Sequence, residues 1–415
     1  MHSKSWHGLA AALAATALAA APAAAGEIFV GHLKDLTGPT STVGKTYGQG
    51  VIDALDWINA NGGVNGVPIT YDSIDYSYKA PQAIAAYKKW TASHAVAAIQ
   101  GWGTGDTEAL VQFVAKDEVP YFSASYSGHL TDPTGAGPET AVPAPYNFFY
   151  SPSYSDGCRG LVQWAGEDWK AKGASGKPKF VHMGDNHPYP NAPKAACAAY
   201  AEELGFEVLD PIVFSLSPGD FKAQCLTLNE SGADYAFLAN TSGAVISLLK
   251  SCRTVGTKVQ FMANIWGYDE NAMDAAGDAA NGVVFVVGSV PWGADVPGMA
   301  RVREVSRMSD PSGSLARGLH YMRAVCSVFY MKEALEWADT HGGISGANLK
   351  GAMESRERWV PEGLDGVCLP STWTATDHRG TTTVNIYRGV VQATDKRMEK
   401  IYSAEIERRP EWLGM

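Results

Sequence analysis

Residues 100–107 read QGWGTGDT, between an apolar run, AVAAIQ, and a helical pattern, EALVQFVAK. A strand, a glycine-rich turn and a helix start together make an anion site, because the first helical N–H groups point into the turn. The chemistry that this would serve is dinucleotide binding. The spacing argues against it: the loop is G-x-G-x-G, with Asp106 where a third glycine belongs. An acid at a helix start repels a pyrophosphate and suits an N-cap. Trp102 also blocks the close backbone approach that the fingerprint's glycines allow. A second set of ligating residue types, His182, Asp185 and His187, follows another apolar run. Neighbouring side chains alternate along a strand and no third strong ligand is near, so no metal is expected. There is no G-x-S-x-G elbow, H-E-x-x-H pair, P-loop or EF-hand spacing, and the acids are scattered. The sequence gives no ground for an enzyme or for a cofactor.

The 415-residue chain is long enough for two domains, each with its own core. It is 46% hydrophobic and 18% charged, an ordinary globular balance. A net charge of −10 and the lack of any basic stripe argue against nucleic acid or an anionic membrane surface as partner. Residues 1–25 carry Lys4, an alanine-leucine run and a small-residue site, APAAAG, and read as a secretory signal cleaved before Gly26. That run is too short and alanine-rich for an anchor, and no later stretch is apolar enough to span a bilayer. The mature protein is thus expected to be exported, without direct membrane insertion.

From Glu27 short apolar runs alternate with amphipathic helices, the pattern of parallel sheets covered on both faces. EIFVGHL, VPITYDSIDY, AVAAIQ and VPYFSAS are expected strands of a first unit. The pattern breaks in the Pro- and Gly-rich stretch TDPTGAGPETAVPAPY and then restarts. PKFVHMGD, FEVLDPIVF, DYAFLAN and VQFMANI are expected strands of a second unit, and TTTVNIYRGVVQA and KRMEKIYSAEI form strands without helices between them. Six cysteines and no CxxC pair fit disulfides in an oxidising compartment. Cys225 and Cys252 lie on consecutive expected helices, Cys158 and Cys197 follow the same logic, and Cys326 and Cys368 remain. Spacing alone leaves the other connectivities, and free buried thiols, open.

Several stretches together resemble the ABC-transporter solute-binding proteins of the branched-chain amino-acid type. They are VGHLKDLTGPTSTVGKTYGQGVIDALDWINANGGVNGVPI, LKSCRTVGTKVQFMANIWG, AGDAANGVVFV and TWTATDHRGTTTVNIY, in order along the chain. The resemblance implies an α/β fold: two doubly wound parallel-sheet lobes joined by three hinge crossings, with the ligand in the cleft between them. Lobe one would be 26–146 plus about 268–371, and lobe two 147–267 plus about 372–415. The crossings would fall near Tyr146, near Asn264–Gly267 and near Thr372–Asp377. The partners implied are a small-molecule solute and a membrane ABC permease, in the periplasm.

On the same resemblance, Trp102, Gly103, Thr104, Tyr126 and Ser127 would bind ligand from lobe one. Tyr154, Tyr189, Asn240 or Thr241, and Trp266 would bind from lobe two. Trp292 joins these as an aromatic at a strand end or crossing, and Tyr76 and Tyr78 extend the lobe-one rim. Trp57, Trp90, Trp164 and Trp337 lie on expected helices and read as packing residues. Members that bind amino acids commonly carry an acid near the helix start of LANTSGAVISLL, where Ala244 stands here. A buried ammonium without a carboxylate is expensive, so a plain amino acid is disfavoured. Aromatic residues at strand ends favour a flat or apolar-bodied ligand.

Overall fold

The computed structural model describes residues 27–415. The expected signal at 1–25 lies outside them. In the first half β1 (Ile28–Lys34), α1 (Ser41–Ala60), β2 (Ile69–Asp75), α2 (Ala80–Ser93), β3 (Val96–Gln100), α3 (Thr104–Asp117), β4 (Tyr121–Ser123) and β5 (Asn147–Phe149) follow in turn. Their strands form one parallel sheet in the order β2-β1-β3-β4-β5. Residues 131–146 hold no helix or strand, as their Pro and Gly content requires.

The second unit runs α4 (Tyr154–Ala171), β6 (Lys179–Gly184), α5 (Pro188–Asn191), α6 (Lys194–Glu203), β7 (Glu207–Val208), β8 (Ile212–Val213), α7 (Lys222–Ser231), β9 (Tyr235–Leu238), α8 (Ser242–Thr254), β10 (Gln260–Ala263), α9 (Glu270–Ala276) and β11 (Val284–Val287). Three helices follow, α10 (Met299–Ser306), α11 (Leu319–Thr340) and α12 (Gly346–Glu354), then a small ribbon, β12 (Thr372–Thr374) with β13 (Asp377–Gly380). The chain closes with β14 (Thr383–Val391) and β15 (Lys396–Glu405). The second sheet has the order β15-β14-β11-β10-β9-β6-β7, with β8 also on β6. It is parallel up to β11, while β14 and β15 join antiparallel.

Three differences from the sequence reading have physical causes. FEVLDPIVF is not one strand: Pro211, which has no N–H for the ladder, separates β7 from β8. Asn147–Phe149 still pairs in the first sheet, so the chain leaves that sheet after 149 rather than near Tyr146. Val284–Val287 pairs with β10 and β14, so the chain stays in the second sheet beyond the crossing expected at Asn264–Gly267. The helical segment that follows returns to the first sheet's side, where α11 packs on α1. A β-carbon on Gly50 of α1 would lie 2.8 Å from the Ala324 methyl and from the Tyr321 carbonyl, so glycine sets how closely these helices approach.

Each expected cysteine pair is bonded: Cys158–Cys197 joins α4 to α6, Cys225–Cys252 joins α7 to α8, and Cys326–Cys368 ties α11 to the segment before β12. Among the described residues no cysteine is free and no helix is long and apolar enough to cross a membrane. Cys225 and Cys252 close a loop of 27 residues with both partners buried. Replacing both by alanine is expected to lower unfolding free energy by about 3 kcal/mol, read from urea midpoints of oxidised protein.

Candidate functional site

In a doubly wound sheet the strand order reverses at one point, and the loops at the carboxyl ends beside it diverge to leave a crevice. In the first sheet that point lies between β1 and β3, in the second between β6 and β9. The loops that meet there are 35–40, 101–104 and 124–127 from one side, and 185–189, 240–242 and 264–268 from the other.

Trp102 is fixed by a short chain of bonds. Asp35, buried, accepts from the Thr40 hydroxyl at 2.6 Å, the Thr40 N–H at 3.0 Å and the Gly38 N–H. Thr40 Oγ1 in turn accepts from Trp102 Nε1 at 2.9 Å. The glycines around Trp102 make room for side chains rather than phosphate: a β-carbon on Gly101 would strike the Tyr121 ring, and one on Gly103 would strike Tyr76, Tyr78 and Asp106. Gly103 is the N-cap of α3, and Asp106 stands in the first turn, not at the cap. Tyr76 Oη donates to Asp106 Oδ1 at 2.7 Å, while Oδ2 is buried with no partner among the described residues. Burial pushes the Asp106 carboxyl up to about 7, against the pull of Tyr76 and nearby backbone N–H groups.

A cavity of only about 10 Å³, room for about one water, lies between the loops. Thr40, Tyr78, Trp102, Gly103, Thr104 and Ala124 line it from lobe one; Tyr154, Tyr189, Thr241 and Trp266 line it from lobe two. Rings occupy most of the surrounding space. Trp102 meets Trp266 edge-on at 5.0 Å between centroids, Tyr154 meets Tyr189 at 5.3 Å, and Tyr126 stacks on Trp266 at 5.4 Å. Trp266 Nε1 donates to Tyr154 Oη at 3.1 Å, and Tyr189 Oη is paired with the Asn264 side chain. Thr104 Oγ1 lies 2.7 Å from Ser125 Oγ, and the buried Thr241 hydroxyl has no partner among the described residues.

Of the residues singled out from sequence, Trp102, Gly103, Thr104, Tyr154, Tyr189, Thr241 and Trp266 come together at this cavity. Tyr126 supports Trp266 from behind the lining. Asn240 does not line the cavity: its amide donates to the Phe214 and Ser215 carbonyls and accepts the Asp185 N–H, tying two loops of lobe two. Ser127 donates to Glu108 at 3.2 Å. Trp292 lines a different groove, with Lys45, Glu270 and Lys400. His182 is buried and pushed down to about 3 by desolvation, Asp185 accepts from the Leu216 N–H at 2.6 Å, and His187 caps α5, so these three do not converge. Thr40 and Ala124 line the cavity without having been singled out from the sequence, and Tyr78, expected on the lobe-one rim, lines it with them.

Arg323 was missed altogether. Buried on α11, it lies with Cζ 3.7 Å from the Trp266 ring centroid. Its Nη2 donates to the Ile265 carbonyl at 3.1 Å and to His320 Nδ1. An arginine only donates, so Nδ1 is an acceptor and Nε2 carries the proton donated to Asp269 Oδ2, 3.0 Å away. Burial and Arg323 hold His320 below its ordinary pKa, in agreement with that neutral form.

The Asp106 carboxyl gives a signed pH effect. Its folded pKa of about 7 lies above an unfolded value near ~4, so the fold favours the protonated form. Its contribution is full below about pH 4 and is lost as pH rises through about 7. Asp106→Asn keeps the bond from Tyr76. Its stability curve is expected to fall less than wild type between pH 4 and 8, by on the order of 3 kcal/mol, in urea titrations at both pH values.

Known proteins of similar form agree with this architecture. Residues 27–396 match the model of the family described as periplasmic binding protein. An ABC transporter substrate-binding protein of Aeropyrum pernix is 26% identical, with a TM-score of 0.79 over 92% of this chain and 97% of that one. A branched-chain amino acid ABC transporter protein of Thermus thermophilus with bound valine is 20% identical, with a TM-score of 0.78 over 91% and 97%. A fatty acid ABC transporter substrate-binding protein of Thermomonospora curvata is 21% identical, with a TM-score of 0.78 over 92% and 93%. No curated protein sequence is similar enough to match. The family model spans nearly all the described residues, and the chain belongs to the periplasmic binding protein family, whose members bind substrates and are not enzymes.

Proposed function

We propose that this protein is the solute-binding component of an ABC importer, exported by its N-terminal signal, that takes up an aromatic or apolar-bodied acid or amide by closure of its lobes and hands it to a membrane permease. The observation that carries this reading is the wall of rings contributed by both lobes, Trp102 and Tyr78 facing Tyr154, Tyr189 and Trp266. Flat apolar faces favour a ligand that can stack, and the few hydroxyls and backbone N–H groups beside them orient it. Among the described residues no acid lines the cavity, and Ala244 stands buried in α8. An ammonium group would therefore be desolvated without a carboxylate beside it. Lobe one would offer Gly103 and Thr104, and lobe two Thr241.

Uptake follows from the closed geometry. A cavity of about 10 Å³ admits no organic solute, so loading requires the lobes to part or the rings to turn. Contacts between rings are then exchanged for contacts with the solute, and the closed form gains only the difference between the two. A protein that instead presents the solute to a receptor would use the same cleft; a role in transport requires that the loaded protein stimulate its permease.

Thermal-shift screening against amino acids, aromatic acids, amides and small polyols is expected to give its large shifts with aromatic or apolar-bodied acids or amides, and the bound compound should be recovered unchanged. A large shift with leucine or valine would overturn the ligand class. Trp102→Ala and Trp266→Ala should each weaken binding of the best compound by ~10–100-fold while the far-UV spectrum is kept.

A further inference from the structure

Three buried polar groups around the Trp266 indole are left over after every bond above has been assigned. Arg323 Nη1, Tyr47 Oη and Tyr126 Oη have no partner among the described residues. Native proteins leave few such groups, and an unpartnered guanidinium N–H is among the most expensive. All three belong to lobe one: Tyr47 on α1, Tyr126 after β4, Arg323 on α11. They gather about one ring of lobe two, with the Tyr47 centroid 5.7 Å from the Trp266 indole and the Tyr126 centroid 5.4 Å. The Arg323 guanidinium is 5.7 Å from the Tyr126 ring. Burial raises both phenols, Tyr126 to about 12; the guanidinium and then Tyr47 pull Tyr126 back, while Ser327 and then the guanidinium pull Tyr47 back, so the polar tips feel one another.

Among the described residues the charge on Arg323 has no direct carboxylate partner. Asp269, the nearest acid along the chain of bonds, is taken up by His320, by the Ser242 hydroxyl at 2.9 Å and by the Ala272 N–H at 2.8 Å. A neutral His320 stands between the two charges. What would complete the arrangement is a small acceptor-only group with a negative charge, which a carboxylate is.

We infer that Tyr47, Tyr126 and Arg323 form a carboxylate subsite on lobe one, covered by Trp266 when the lobes are closed. The inference rests on the solute reading above and narrows its ligand from acid or amide to acid. When the lobes part, Trp266 and the Ile265 carbonyl leave with lobe two and the guanidinium is uncovered on lobe one. The carboxylate docks there first, and Trp266 closes over the flat body behind it. Arg323 thereby trades the Ile265 carbonyl for a charged partner, which makes lobe one the side that discriminates by charge.

The test is calorimetric titration of the full chain with a matched pair of probes, phenylacetate and phenylacetamide. Wild type is expected to prefer the acid by at least ~10-fold. Arg323→Gln should remove that preference by weakening the acid at least ~10-fold while the amide stays within about threefold. Tyr126→Phe, which keeps the ring on Trp266, should weaken the acid by about threefold to tenfold and decides the matter should Arg323→Gln fail to fold. Equal binding of the two probes by wild type overturns the subsite and leaves the aromatic cleft standing. So does a preference that is undiminished in each variant that folds. Binding of neither probe overturns the ligand class and the subsite with it.

Discussion

One indole holds the two lobes in register. Trp266, at the end of β10 in lobe two, meets Tyr47, Trp102 and Tyr126 of lobe one, lies against the Arg323 guanidinium and donates its N–H to Tyr154. Each aromatic contact is worth about 0.5–1.5 kcal/mol beyond the area it buries. The sum is enough to hold the lobes together and small enough for a ligand to match. Binding in this cleft is therefore a replacement of one set of contacts by another, and affinity is set by their difference.

That contact depends on the placement of α1 and α11. Gly50 lets the two helices approach closely enough to set Tyr47 and Arg323 around one ring. The Cys326–Cys368 bond anchors α11 one turn beyond Arg323. At its N-terminal end the same helix is held by lobe two, through Asp269 on His320 and the Glu270 carboxylate on the Leu319 N–H at 3.2 Å. Burial lifts Glu270 to about 7, so this second clasp titrates near neutrality. A single helix thus carries a covalent anchor, a charged group behind the cleft and an attachment to the opposite lobe.

The alternation of short apolar runs with helices was legible throughout, because the period changes from two to about 3.6 at each junction. The sequence also places Trp102, Thr104 and Trp266 after strands, and residues there face the crevice of a doubly wound sheet. The disulfides of neighbouring helices followed from adjacency in the chain. Arg323 and Tyr47 were not legible. Each lies in the middle of a helix, and local sequence does not say that one turn of a buried face is covered by the other lobe. Asn240, a polar residue after a strand, reads as a ligand group, and here its amide ties the loop after β9 to the segment after β8. Trp292 reads as an aromatic at a strand end or crossing, and it lines a different groove.

The sheets end in ways that matter beyond the cleft. β15 is an outer strand of the larger sheet, and Lys396, Arg397, Glu399 and Lys400 along it are exposed. At the far side β7 and β8 are two residues each, split by Pro211. β5, at one border of the smaller sheet, has three. Another strand that added to β15 would have to bury fixed charges, and one that added to the other side would find too few N–H and C=O groups in line. Among the described residues the two larger sheets hold thirteen strands, and their open borders offer poor templates for another strand to add.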